Sequence, residues 1–214
     1  DCIKSILKQY EYLPEQATKD LPARPTSVLL IGHSMGGIIA SAVFTQSNYK
    51  ENSVNTILTL NAPHNGHPFF YRRSLATFYH LVHDYWKENM DTGLIDVSII
   101  SISGSFRDQL IDSSLTGLHG FIPTRNSFSV LTTGVPSVWV QTDHQCIVWC
   151  NQLVLKVSHM LLDIVDLNTF QNTLSIENRM KVFQKHLLSN IPYTLGLSQL
   201  SDESFLPMEY ISSS

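Results

Sequence analysis

Charge is sparse in this sequence. Asp, Glu, Lys and Arg make up 15% of its 214 residues, against 43% hydrophobic ones, which is the composition of a globular chain and not of a disordered one. Basic runs are absent and the formal net charge is −4, which argues against nucleic acid as a main partner. Cysteine is scarce as well. Cys2, Cys146 and Cys150 make neither a zinc nor a disulfide pattern, and Cys146 and Cys150 read as small core residues on the apolar face of one helix. The longest apolar stretch, 147–167, is broken by Lys156, His159 and Asp163, so it cannot span a bilayer. No Asn-x-Ser/Thr acceptor occurs, and Asp1-Cys2 leads directly into a helical pattern, not a signal-type segment. Repeats and low-complexity blocks are also missing. The length suits a single core.

What is present alternates between two periodicities. Ile3, Ile6, Leu7 and Tyr10 have helical spacing over 3–13. After the loop "DLPARPTS", Val28-Leu29-Leu30-Ile31 is a continuous apolar run, as expected for a strand covered on both faces. The pattern predicts a helix over 35–46, a strand over 54–60 ending at the turn cluster "NAPHNG", and further strands over 97–102 and 128–133. A long helix is expected from near Gln145, with Thr142 and Gln145 spaced for a capping box, and another over 176–188. Strand, helix, strand in this order reads as a crossover unit. The expected fold class is therefore α/β, a mostly parallel sheet with flanking helices. The domain spans 1–197, with 68–90 as a candidate cap and 198–214 as a flexible tail.

The segment "VLLIGHSMGG" carries the chemistry. "GHSMG" matches G-x-S-x-G, follows an apolar strand and opens an amphipathic helix, the context of a nucleophile elbow. A serine at the tip of such a turn needs strained backbone, and glycines two before and two after it are expected to make room for the tight turn. The helix amino terminus then turns free N–H groups toward the reacting centre. This makes Ser34 the candidate nucleophile and the Met35 N–H a candidate oxyanion donor.

A serine hydroxyl needs an oriented base, and the chain order Ser, Asp or Glu, His leaves His119, His144, His159 and His186. The last two fall within expected helices. His144, in "QTDHQCIVW", lies between a strand-like segment and a helix start, a better place for a base than His119 in "LTGLHGF". For the acid, "IISISGSFRDQLID" offers Asp108, the nearer to the strand end, and Asp112, one helical turn further on. Asp143 reads as a cap or local hydrogen-bonding group.

Beyond these motifs, "IGHSMGGIIA", "ISGSFRDQLI", "TTGVPSVWVQTDHQCIVWCNQLV" and "RMKVFQKHLL" resemble the GPI inositol-deacylases, a family of membrane enzymes of the endoplasmic reticulum. The likeness covers most of residues 1–190. It implies an α/β-hydrolase fold, no metal or organic cofactor, and hydrolysis of the ester joining a fatty acyl chain to the inositol of a glycosylphosphatidylinositol (GPI) anchor. It implies Ser34 as nucleophile, His144 as base and Asp108 as orienting acid, with a GPI lipid or GPI-anchored protein as substrate at the endoplasmic reticulum membrane. The aromatic-rich segment 69–86 is a candidate acyl slot or an ordinary accessory helix, and Arg72 and Arg73 are candidates to meet a lipid phosphate.

Residues 1–33 accommodate one helix and the nucleophile strand, whereas the family's fold has earlier strands and a second oxyanion donor on one of their loops. The expectation is a fragment or truncated form lacking the first strands, with one sheet edge unpaired. Its membrane attachment would lie in regions outside this chain. Rival readings with the same motifs are a lipase, thioesterase or acyltransferase, or an inactive form that binds lipid or a partner.

Overall fold

The computed structural model describes residues 1–9, 25–68, 73–168 and 172–189. Its centre is a four-stranded sheet, all parallel, in which spatial order follows chain order: β1 (Val28–His33), β2 (Val54–Leu60), β3 (Ser98–Ser103) and β4 (Ser127–Leu131). The register pairs His33 with Leu60, Leu60 with Ile102, and Ser103 with Leu131, so all four strands end along one edge. Helices α1 (Cys2–Gln9), α2 (Met35–Ser41), α3 (Arg73–Asn89), α4 (Asn151–Asp163) and α5 (Ile176–Leu187) surround the sheet.

Both faces of the sheet are covered, which is why its central strands read as apolar runs. Side chains alternate across a strand with period two. Ile57 and Ile99 pack with Phe44, Val82 and Trp86 from the α2–α3 side. Leu58, Leu60, Ile100 and Ile102 pack with Leu153, Met160 and Phe183 from α4 and α5. Trp86 is fully buried, its ring edge-on to Phe44 and its indole N–H donating to the Ser41 carbonyl at 2.9 Å. Of the described aromatics of 69–86, Tyr79 and Trp86 are core side chains. Phe69, Phe70, Tyr71, Arg72 and the side chain of Arg73 lie outside the described residues, as do the end of the first expected helix and the tail 198–214.

β1 bonds to β2 on one side and to no other described strand on the other. Its burial is correspondingly incomplete: Ile31 is 54% exposed, while every residue of β3 is buried.

Two helix boundaries differ from the sequence pattern. The helix expected over 35–46 ends at Ser41 and tightens into a 3₁₀ turn, Ala42–Thr45. The helix expected from Gln145 starts at Asn151, and the Thr142–Gln145 capping box does not form. Asp143 wins the competition instead: its Oδ1 accepts the backbone N–H groups of Gln145 and Cys146 at 2.9 and 2.6 Å. A short 3₁₀ turn, Cys146–Val148, follows. Cys146 and Cys150 therefore do not share a helix, although Cys150 is buried in the core and Cys146 packs against it.

Candidate active site

The turn after β1 places Ser34 in left-handed backbone, at φ 55° and ψ −133°, a conformation that costs a non-glycine residue about 1–3 kcal/mol and collects at functional sites. Its N–H donates to the Leu60 carbonyl at 2.9 Å and its carbonyl accepts Gly37 N–H at 3.0 Å, so both neighbouring elements hold the turn. Asn61 and Ser105, just past the ends of β2 and β3, also have positive φ, 47° and 72°.

The glycines divide the work differently from the motif's spacing. A Cβ on Gly32 would stand 2.5 Å from the Gly37 Cα, and one on Gly37 would stand 2.4 Å from the Ala62 Cβ. Gly36, the second glycine of G-x-S-x-G, faces open space. The expected steric need for it is therefore corrected: the close approach falls on Gly37, which packs α2 onto β2.

Ser34, His144 and Asp108 form one hydrogen-bonded line. Ser34 Oγ is 2.9 Å from His144 Nε2, and His144 Nδ1 is 2.8 Å from Asp108 Oδ2. The carboxylate can only accept, so Nδ1 carries the proton and Nε2 is left bare to accept from the serine hydroxyl. The Asp108 side chain is fully buried. Its second oxygen accepts Leu110 N–H and Ile111 N–H, each at 2.9 Å, so the buried charge is met on both oxygens. Ser34, His144 and Asp108 come from loops after different sheet positions, 110 residues apart between Ser34 and His144.

The other candidates lie elsewhere. Asp112 is exposed at the start of the 3₁₀ turn Ser113–Thr116, where its Oδ1 accepts Ser114 N–H at 2.8 Å. Hydrogen bonds from Ser114 lower its pKa, consistent with a capping group. His119 borders a cavity of about 500 Å³ with Ile122, Phe128 and Gln184. His159 is exposed on α4, and His186 bonds Asp163 at 2.8 Å. Met35 is the first residue of α2, so its N–H has no partner within that helix. Its sulfur accepts a hydrogen bond from the Tyr79 hydroxyl at 3.6 Å. Burial raises the Tyr79 pKa, which keeps that hydroxyl protonated.

Two residues that sequence reasoning passed over support this line. Asn61, fully buried, accepts Gly104 N–H on Oδ1 at 2.6 Å and donates from Nδ2 to the Asp143 carbonyl at 3.4 Å. It joins the loop that carries Asp108 to the loop that carries His144. Thr142 N–H adds a second link, to the Gly104 carbonyl at 3.0 Å. His33 is the other, with Nε2 2.7 Å from the His144 carbonyl. Asn61 opens the turn cluster and His33 fills the variable place of the motif. An asparagine at a strand end, where left-handed backbone is common, was the available signal for the first.

Among the described residues no cluster of His, Cys, Asp and Glu is arranged to hold a metal ion, and no helix is long and apolar enough to cross a membrane.

Comparison with known proteins gives a consistent set. The family model of the PGAP1-like alpha/beta domain matches residues 1–164. The chain is 36% identical over 208 residues to GPI inositol-deacylase A of Yarrowia lipolytica, covering 94% of this chain and 19% of that protein. It is 36% identical over 219 residues to the GPI inositol-deacylase of Aspergillus fumigatus, covering 98% and 19%. With that of Eremothecium gossypii it shares 37% over 197 residues, covering 89% and 19%. The chain thus spans about a fifth of the length of the curated relatives it matches.

Proposed function

The chain belongs to the family of PGAP1-like α/β domains, and from that premise we propose that it is the catalytic portion of a serine ester hydrolase that removes the fatty acyl chain from the inositol of GPI anchors. The hydrogen-bonded line Ser34–His144–Asp108 carries this reading. The names of the relatives, GPI inositol-deacylases, support this choice of substrate.

The steps follow from the protons already in place. Ser34 Oγ attacks the ester carbonyl as His144 Nε2 takes its proton, and the Asp108 carboxylate stabilises the imidazolium that forms. The tetrahedral oxyanion develops beside the Met35 N–H, whose position at the start of α2 suits it as a donor. Collapse expels the inositol oxygen, which takes the proton from His144 and leaves as the alcohol. Water then enters and attacks the acyl carbon as His144 removes its proton; collapse releases the free fatty acid while His144 returns that proton to Ser34 Oγ. No step requires a metal or organic cofactor. The substrate is the GPI lipid or a protein carrying it, and the place of action is the endoplasmic reticulum membrane.

The deciding experiment labels the 214-residue chain with a fluorophosphonate, with Ser34→Ala as control. Label that vanishes in the variant supports an activated serine. In parallel, the inositol-linked acyl chain of GPI is followed by mass spectrometry in membranes holding the protein in its full polypeptide, with and without Ser34→Ala. An acyl chain removed equally in both would refute the proposal.

A further inference from the structure

The base sits on irregular chain. Between the 3₁₀ turn Thr132–Gly134 and α4 the backbone contains a single further 3₁₀ turn, Cys146–Val148, so no helix or strand ladder fixes the position of His144; the links through Thr142 and Asp143 tie its loop to Gly104 and Asn61, not to the Ser34 turn. Asp108 fixes the tilt and tautomer of the ring from one side. It does not fix how far the backbone of His144 stands from Ser34, and a displacement of about 1 Å in a reacting group can cost about 100-fold in rate.

His33 meets that need. Its Nε2 lies 2.7 Å from the His144 backbone oxygen, and the two rings approach to 4.7 Å between centroids at 44°. A carbonyl oxygen only accepts, so Nε2 of His33 carries a proton and donates it. His33 is also the residue before Ser34 and the last of β1, with its backbone held in register against Leu60. The distance from the Ser34 backbone to the His144 backbone is therefore spanned by one peptide link and one side chain.

We propose that His33 is a positioning residue: it holds the backbone of His144 at the distance at which Nε2 meets the Ser34 hydroxyl. The proposal rests on the reading of Ser34 as nucleophile. It makes the residue inside the motif specific, since the role needs a donor at the reach of an imidazole Nε2.

Two variants separate the donor from the ring. His33→Phe keeps a ring of similar shape and removes the donor, while His33→Gln returns an N–H at about the same reach. The rate constant for fluorophosphonate labelling is expected to fall at least about tenfold in His33→Phe. It should recover to within a few-fold of the parent in His33→Gln, with thermal midpoints close to the parent in both. In ester turnover the loss should appear in kcat and leave KM unchanged. A His33→Phe chain that labels at the parent rate overturns the proposal, as does loss in both variants without recovery in Gln. ¹⁵N imidazole spectra of the unaltered chain give a test that needs no activity: a proton on Nε2 of His33 is expected, and a ring protonated on Nδ1 alone overturns the proposal. Labelling that survives Ser34→Ala, or is absent in the parent chain, counts against the hydrolase reading, and the spectrum still decides the contact.

Discussion

Gly32 lies against Gly37 so closely that a methyl group on the first would stand 2.5 Å from the Cα of the second. The strand before Ser34 and the helix after it touch here through backbone alone, and this contact makes the sharp return of the chain possible. Gly32→Ala and Gly37→Ala are each expected to destabilise by about 1–3 kcal/mol, because the obstructing atoms are backbone or the Ala62 methyl and cannot swing aside. Gly36→Ala is expected to be neutral, or to stabilise by up to about 1 kcal/mol through helix propensity. Urea unfolding of the three variants checks the order. Equal losses at Gly36 and Gly37 would contradict it.

The acid assignment separates two aspartates four residues apart. In Asp108→Asn the amide would present an N–H to His144 Nδ1, favouring the tautomer with its proton on Nε2, which cannot accept the serine proton. Labelling and turnover should fall on the order of 10³–10⁴-fold. Asp112→Asn, which alters a solvent-exposed cap of one 3₁₀ turn, should change the rate less than about twofold and cost up to about 1 kcal/mol of stability. A reversed ranking would move the orienting role to Asp112.

The elbow and the sheet were legible because each leaves a strong local trace. Val54–Leu60 reads as a strand from its β-branched residues and is one, and "VLLIGHSMGG" carries strand, turn and helix start within ten residues. The start of α4 was not legible, because the choice lies between two side chains. The Thr142–Gln145 spacing suggests a capping box, yet Thr142 is buried where the chain crosses Gly104, and Asp143 takes the free N–H groups instead. Asn61 and His33 act across more than 80 residues of sequence, a separation that no periodicity reports. Gly36 misled for the opposite reason, since the motif preserves it where this backbone leaves space.

Asn61 gives a prediction of its own. It adopts left-handed backbone at φ 47° and ties Gly104 to Asp143 through its side chain. Asn61→Ala loses both hydrogen bonds, leaves Gly104 N–H buried without its acceptor, and keeps the backbone strain. The expected cost is about 2–4 kcal/mol. Asn61→Gly loses the same bonds and relieves the strain, so it should be the more stable of the two by about 1 kcal/mol. Both should slow labelling of Ser34, since the Asp108 and His144 loops lose a shared anchor. Variants of equal stability would mean that the strained backbone is not held by Asn61.

Acid should weaken the fold well above the range where carboxylates protonate. His64 is buried, its Nε2 2.8 Å from the Thr59 hydroxyl, which itself donates to the Ile100 carbonyl at 3.3 Å. Burial, and then the nearby His83, push its pKa down from 6.5 to about 3. In the unfolded chain the same ring titrates near its ordinary value. Stability from this source is therefore complete above about pH 6.5 and declines as pH falls toward 3, because the unfolded state binds a proton that the folded state excludes. The slope reaches at most about 1.4 kcal/mol per pH unit. His83, also lowered chiefly by burial, acts in the same direction. Asp112 and Asp163 have lowered pKa values, and their contributions fade near and below pH 4, so unfolding in urea between pH 7.5 and 5 isolates the histidines. The parent chain should lose stability across that interval, and His64→Gln, which retains an N–H for Thr59, should lose distinctly less. Parallel losses in both would show that the acid sensitivity arises from a group other than His64.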